Sequence, residues 1–219
     1  VFKIPGDFKY AYVRALKYYK HFLIIGTSEG AFVMDTRTEK IVKLEFLNEP
    51  AAHHDQYNTK SFHISGSQLW LGTVQGLHTV ELDHIERLVA GEIDKLSSEL
   101  RISDLNIWKI MPFKSGLKLA TNEGVYNYFA DDDQLIKSTE LDNSDFKLSD
   151  NSIVDMLLSD DGSMWLASKT DGAYFVSNNN YSFQNYNRDT LYGGLSHNNI
   201  WSIVEHNKDI WLATSDGIT

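Results

Sequence analysis

The side chains in this sequence that could do chemistry are scattered. The segment "EPAAHHDQYN" sets His53, His54 and Asp55 side by side, and each is a potential metal ligand or acid–base group. Neighbours on a loop seldom converge on one ion, and no third ligand follows at a recognisable spacing, so the segment reads as an exposed polar loop. "ADDDQL" offers Asp131, Asp132 and Asp133. It lacks the alternating carboxylates, the glycine and the terminal Glu of a calcium loop, and reads as a turn between two strands. With no cysteine in the chain, thiol catalysis, disulfides and Cys-ligated zinc are excluded. Neither a nucleophile elbow nor a phosphate-cradling glycine loop is present. No catalytic set, metal site or cofactor is implied.

The elements that must position any site are more legible than the site. "HFLIIGTSEGAFVM", "QLWLGTVQGLHTV", "GLKLATNEGVYNY", "SMWLASKTDGAYFV" and "DIWLATSDGIT" are five versions of one phrase. Its hydroxyl residue falls at Thr27, Thr73, Thr121, Ser168 and Thr214, giving successive spacings of 46, 48, 47 and 46 residues. A period of roughly 40 to 50 residues signals a repeat architecture. Each phrase carries an apolar run, a small residue, the hydroxyl, a short polar stretch and a glycine, which is the pattern of a hairpin. The hairpins are expected at 22–35, 68–81, 116–129, 163–176 and 209–219. An aligned apolar segment precedes each, ending at Leu16, Phe62, Ile110, Met156 and Ile203, and a more variable one such as "KIVKLEF" or "YSFQNYN" follows. Four short strands per unit, with no helical spacing across the units, predict an all-β fold: a β-propeller of four-stranded antiparallel blades, with about five blades' worth of repeats in one region over 1–219.

The repeat aligns the chain with itself. Trp70, Trp165 and Trp211 stand three residues before the hydroxyl, with Ile24 and Lys118 at the same phase. Large flat side chains there fill the space between blades, and the Gly or Ala that follows lets the next sheet approach closely. Lys118 predicts a more solvated third blade. The hydroxyl is expected to bond backbone at the turn. The start of the inner strand gives another phase: Arg14, Lys60, Trp108, Val154 and Trp201. Of these, Arg14, Lys60, Trp108 and Trp201 form the candidate ligand site. Cations would pair with a carboxylate or sulfate, and indole rings would stack on a sugar face. The alternative is that the same side chains pack between blades. The one helical stretch is expected near Gly91 to Leu100, on the loop leading into the third blade.

Composition narrows the classes. A net charge of −10 argues against nucleic acid as the partner, which would need a clustered positive face. No apolar run approaches the ~20 residues of a membrane span. "VFKIPGDFKY" does not read as a signal peptide. The chain starts without Met and stops inside a hairpin, so a fragment of a larger propeller is expected; the other arrangement has "VFKIPGD" closing a smaller ring as the outer strand of the last blade.

"GGLSHNNIWSIVEHNKDIWLATSDGI", residues 193–218, resembles the repeat of the two-component-regulator propeller family, and "SDDGSMWLASKTDGAYFV" is similar to the same unit. The resemblance implies a sensory input region on the periplasmic or extracellular side of a bacterial membrane-anchored protein, such as a sensor kinase, a hybrid two-component protein or a diguanylate cyclase. It implies a small-molecule or oligosaccharide ligand and a homodimer in the full-length form. Family members commonly have seven blades. Two readings compete: a scaffold holding a partner on the propeller's faces, and a polysaccharide lyase or hydrolase. Against the enzyme, "SDDGSMW" lacks one residue of a sialidase Asp-box between Asp161 and Gly162, and the eight histidines fall at scattered phases.

Overall fold

The computed structural model describes residues 12–47, 58–138, 152–178, 183–190 and 193–219. Five antiparallel sheets follow one another along the chain as blades of a β-propeller. Blade 1 is β1 (Val13–Tyr19), β2 (Phe22–Thr27), β3 (Gly30–Asp35) and β4 (Ile41–Lys43). Blade 2 is β5 (Thr59–Ser65), β6 (Gln68–Thr73), β7 (Gly76–Glu81) and β8 (Glu99–Ser103). Blade 3 is β9 (Ile107–Phe113), β10 (Gly116–Thr121), β11 (Gly124–Phe129) and β12 (Gln134–Lys137). Blade 4 is β13 (Ile153–Leu158), β14 (Met164–Ser168), β15 (Ala173–Val176) and β16 (Phe183–Tyr186). Among the described residues blade 5 has three strands, β17 (Ile200–His206), β18 (Asp209–Thr214) and β19 (Gly217–Ile218). The chain divides into two compact units, Val1–Ile110 and Met111–Thr219, each with its own core. "VFKIPGD" lies outside the described residues.

The central hairpins form where the phrase predicts them, and the hydroxyl explains why. Thr27 Oγ1 donates to the Gly30 carbonyl at 2.9 Å and accepts the Glu29 N–H at 3.0 Å. Thr73, Thr121 and Thr214 repeat this, donating to the carbonyls of Gly76, Gly124 and Gly217. One buried hydroxyl thus satisfies turn groups that the sheet ladder cannot reach. Ser168, with one extra residue before its glycine, instead accepts the N–H groups of Thr170 and Asp171.

Blades pack through the small residue of the phrase. A Cβ on Gly26 would lie 2.8 Å from the Thr59 carbonyl oxygen, and one on Gly72 would lie 2.8 Å from Ile107 Cγ2. Glycine therefore brings the second strand of one blade against the inner strand of the next. In the second unit Ala120 and Val125 of blade 3 share a core with Ile153 and Met156 of blade 4. Trp70 and Ile24 are buried at the phase two residues earlier.

Two expectations need correcting. Lys118 does not mark a solvated blade: it is 1% exposed. Its ammonium donates to Asn127 Oδ1 at 2.9 Å and Ser138 Oγ at 3.2 Å, and lies 4.1 Å from the centroid of the Phe113 ring. Hydrogen bonds and an aromatic face replace the water that a buried cation loses. The helix, α1, spans Leu82–Ala90 rather than the stretch from Gly91, and sits between the third and fourth strands of blade 2. Leu82, Ile85, Leu88 and Val89 form its buried stripe, while Gly91 ends it in the left-handed region at φ 78°, with its N–H on the Leu88 carbonyl at 3.1 Å. Gly91 is thus the stop signal, not the start.

The helix straps blade 2 to blade 1. Lys20 pairs with Glu86 at 2.5 Å, Lys40 donates to the Val89 carbonyl at 2.9 Å, and Phe46 and Leu96 form a parallel bridge. Ile85, Leu88, Phe46 and Leu96 belong to the same buried cluster as Ile24 and Val33.

Candidate functional site

The inner strands share a feature absent from any hydropathy pattern. Pairing slips between Val13 and Ala15, Thr59 and Ser61, Ile153 and Asp155, and Ile200 and Ser202. The skipped residues are Arg14, Lys60, Val154 and Trp201, so four members of the candidate phase are bulge residues. A bulge leaves its residue outside the ladder and re-aims the side chain, which is why one phase can differ in chemistry from blade to blade while the fold stays the same.

The structure brings two of the candidates together. Lys60 lies 3.3 Å from the centroid of the Trp108 ring and donates to Asn106 Oδ1 at 2.7 Å. Its cation is largely buried and already partnered, so a ligand reaching Lys60 competes with an indole face and an amide. Arg14 is exposed. Trp201 is 48% exposed, and its indole N–H donates to Ser215 Oγ at 3.1 Å, which fixes the ring while leaving it accessible. Ser215 is held in turn, its N–H on the Asn199 carbonyl at 3.1 Å. Val154 is buried.

The residue after the bulge has a second task, which the sequence alone did not disclose. Ser61 Oγ accepts the Ile110 N–H at 2.9 Å, linking blade 2 to the inner strand of blade 3. Asp155 does the same for blade 5. Its Oδ2 accepts the Ile203 N–H at 3.0 Å and the Ser202 hydroxyl at 2.8 Å, while Oδ1 accepts the Met156 N–H at 2.9 Å. Because a bulge interrupts the ladder, it frees amides that a neighbouring side chain must satisfy. A polar residue immediately after the ring phase was the available signal.

Other polar clusters serve the turns. Asp161, the residue of the Asp-box-like segment, accepts the Ser163 N–H at 2.8 Å and its hydroxyl at 3.0 Å. Asp131, Asp132 and Asp133 occupy the turn between β11 and β12, where Asp133 accepts the Tyr128 hydroxyl. His197 Nδ1 accepts the Asn199 N–H at 2.9 Å. His53, His54 and Asp55 lie outside the described residues. Among the described residues no group of three His, Asp or Glu could hold a metal ion, and no helix is long and apolar enough to cross a membrane.

Comparison with known proteins places the repeat. Residues 194–216, which contain β17, β18 and the Trp201 bulge, match the two component regulator propeller family. No curated protein matches the sequence. Among solved structures, the chain is similar to the extracellular domains of two hybrid two component systems from B. thetaiotaomicron. One has a TM-score of 0.69 at 19% identity and the other 0.66 at 16%, each over 94% of this chain and 26% of the other. A third similar structure is PorZ, a bacterial surface component of the type-IX secretion system of Porphyromonas gingivalis, with TM-score 0.63 at 12% identity over 94% of this chain and 31% of that one. The chain therefore spans about a quarter of the length of the two-component structures it resembles, and the likeness at this identity establishes the propeller fold.

Proposed function

We propose that this region is the ligand-sensing, extracytoplasmic input part of a membrane-bound signalling protein, that it binds rather than transforms its ligand, and that the bulge phase supplies the contacts. The observation that carries the reading is the two component regulator propeller match across 194–216, the segment that also presents the accessible Trp201 ring. The likeness to extracellular domains of two component systems supports the same reading.

The ligand class we favour is an oligosaccharide. An indole held at its N–H and open on its face suits stacking against the apolar face of a sugar ring, because the platform loses little freedom on binding. Arg14 offers an exposed guanidinium for a carboxylate or sulfate substituent. Lys60 and Trp108 form a paired couple that an anionic group would have to open. Signalling then requires only that ligand bind one arrangement of the propeller, or of two subunits in the parent protein, more tightly than another; a tenfold difference corresponds to about 1.4 kcal/mol.

Titration of the chain with a panel of neutral, uronic-acid-containing and sulfated oligosaccharides, read by calorimetry and tryptophan fluorescence, tests this. Binding is expected in at least one class, and Trp201→Ala is expected to weaken it tenfold or more while leaving the circular dichroism spectrum unchanged. Binding that survives Trp201→Ala, Arg14→Ala and Lys60→Ala unchanged would remove the bulge phase as the site. Fractionation of native cells with an antibody to the chain tests location, where a soluble protein of 25.0 kDa would oppose the sensor reading.

A further inference from the structure

Lys60, Asn106 and Trp108 lie within one compact unit, on blade 2 and on the start of blade 3. Lys60 is 9% exposed. Its ammonium rests on the indole face, 3.3 Å from the ring centroid, and donates to Asn106 Oδ1 at 2.7 Å. Asn106 stands just before the inner strand of blade 3, and the repeat puts Asn58 and Asn199 at the same place in blades 2 and 5. The side-chain oxygens of Asn58 and Asn199 are buried, with no hydrogen-bond partner among the described residues. Arg14 stands one blade before Asn58 as Lys60 stands one blade before Asn106, yet it makes no bond to that oxygen. The same asparagine therefore occurs with a cation seated on it and without one, and the blade forms either way.

We propose that Lys60 is a shutter over Trp108 that makes the site select acidic sugars. The inference rests on the ligand-binding reading given above and adds what decides between ligands. In the closed state the ammonium occupies the indole face on which a sugar ring would stack. A neutral sugar has only hydroxyl groups to offer the displaced charge, so its apparent affinity is reduced by the fraction of molecules that are closed. A uronate or sulfate group instead gives the ammonium a charge-assisted bond, roughly twice as strong as a neutral one, and the ring is uncovered as the cation leaves. Asn106 is then left in the state that Asn58 and Asn199 already show, so opening asks nothing of the blade that the repeat does not tolerate. One movement thus reads the acid group and the sugar face together.

Acrylamide quenching of the free chain, taken as the difference between each protein and its Trp108→Phe counterpart, reads the shutter without ligand. Lys60→Ala is expected to raise the Trp108 share about twofold. Calorimetry with matched probes, an oligogalacturonate against its methyl ester and a sulfated oligosaccharide against its desulfated form, reads selection. The wild-type chain is expected to favour the acidic member of one pair tenfold or more. Lys60→Ala is expected to bring that ratio to about twofold or less, weakening the acidic probe and tightening the neutral one. Asn106→Ala removes the seat and keeps the cation, so both probes are expected to tighten, which loss of a plain contact would not produce. An acid preference that survives Lys60→Ala, a neutral probe that does not tighten, or unchanged quenching overturns the shutter while leaving ligand binding itself in place. Binding of none of the probes removes the ligand reading and the shutter together. Should Lys60→Ala lose its circular dichroism spectrum, Lys60→Met keeps the stem over the ring and is expected to lose the acid preference; a preference retained there overturns the proposal as well.

Discussion

Asp155 is the side chain through which the joint between blades 4 and 5 can be tested quantitatively. It is buried, and its oxygens accept hydrogen bonds on both sides: Oδ2 takes the Ile203 N–H and the Ser202 hydroxyl, Oδ1 takes the Met156 N–H. Asp155→Asn keeps the shape but converts one oxygen into a donor. The amide turns so that its remaining oxygen keeps Ile203 and Ser202, leaving the Met156 N–H unmatched. A buried donor left unsatisfied costs about 1–3 kcal/mol, so Asn should lose about 2 kcal/mol. Asp155→Ala strands the Ile203 amide as well and should lose about 4 kcal/mol on the same basis. At about 2–4 °C per kcal/mol for a chain of this length, the melting temperature is expected to fall by about 4–8 °C for Asn and about 8–16 °C for Ala. Calorimetry measures both, and hydrogen exchange adds a local readout. The Ile203 amide should lose protection in Ala and keep it in Asn. A buried carboxylate can also be a net liability, in which case Asn would stabilise the protein. That outcome, or equal losses for Asn and Ala, would refute the reasoning that Asp155 acts as an acceptor latch.

Two further outcomes follow from the blades themselves. Thr73→Val removes a buried hydroxyl that donates to the Gly76 carbonyl and accepts the N–H groups of Gln75 and Gly76, so it should cost about 1–3 kcal/mol in urea unfolding while Thr73→Ser stays near wild type. A loss in Ser with Val near wild type would show that the methyl group, not the hydroxyl, matters there. Burial holds the His78 imidazole below its ordinary 6.5, so the folded protein favours the neutral ring. Its contribution is therefore complete above pH 6.5 and declines as pH falls through the window between 6.5 and the lower folded value, where only the unfolded chain gains the proton. Urea midpoints from pH 7.5 to pH 5 should show that decline and His78→Gln should reduce it; an identical slope in the variant would sink the assignment.

The central hairpins were legible because a hydroxyl and a glycine at fixed separation are a local device: Thr27 and Gly30 bond to each other, so their spacing carries the turn. The close approach of blades was legible for a similar reason, since only Gly26 and Gly72 leave room for Thr59 and Ile107. What was not legible depends on geometry between blades. The bulge at Lys60 leaves no mark on the apolar pattern, yet it decides which residues leave the ladder. Lys118 read as solvent-facing because charge usually is; its burial rests on Asn127, on the neighbouring strand, and Ser138, just past the fourth strand of the blade. The helix precedes Gly91 instead of following it, because a glycine in the left-handed region ends a helix. For the candidate phase, the structure places Arg14, Lys60, Val154 and Trp201 at bulges, a backbone feature the phase alone does not announce. Nor did it foresee that Lys60 would settle on Trp108, a contact between the bulge residue of blade 2 and the residue at the same phase of blade 3.

The strap across blades 1 and 2 has a mechanical meaning. Sliding one of these sheets past the other must break the Lys20–Glu86 pair, the Lys40 bond to Val89 and the Phe46–Leu96 bridge together, because all three bear the load in parallel. Among the described residues the joint between blades 4 and 5 has no helix across it, and its polar links are direct ones between the sheets and their loops: Asp155 to Ser202 and Ile203, the Ser159 hydroxyl to Glu205 and the Gly172 N–H to the Asn198 carbonyl. A pulling experiment with handles on blades 1 and 2 should therefore yield at lower force once Glu86→Ala removes one of the three elements that act in parallel there.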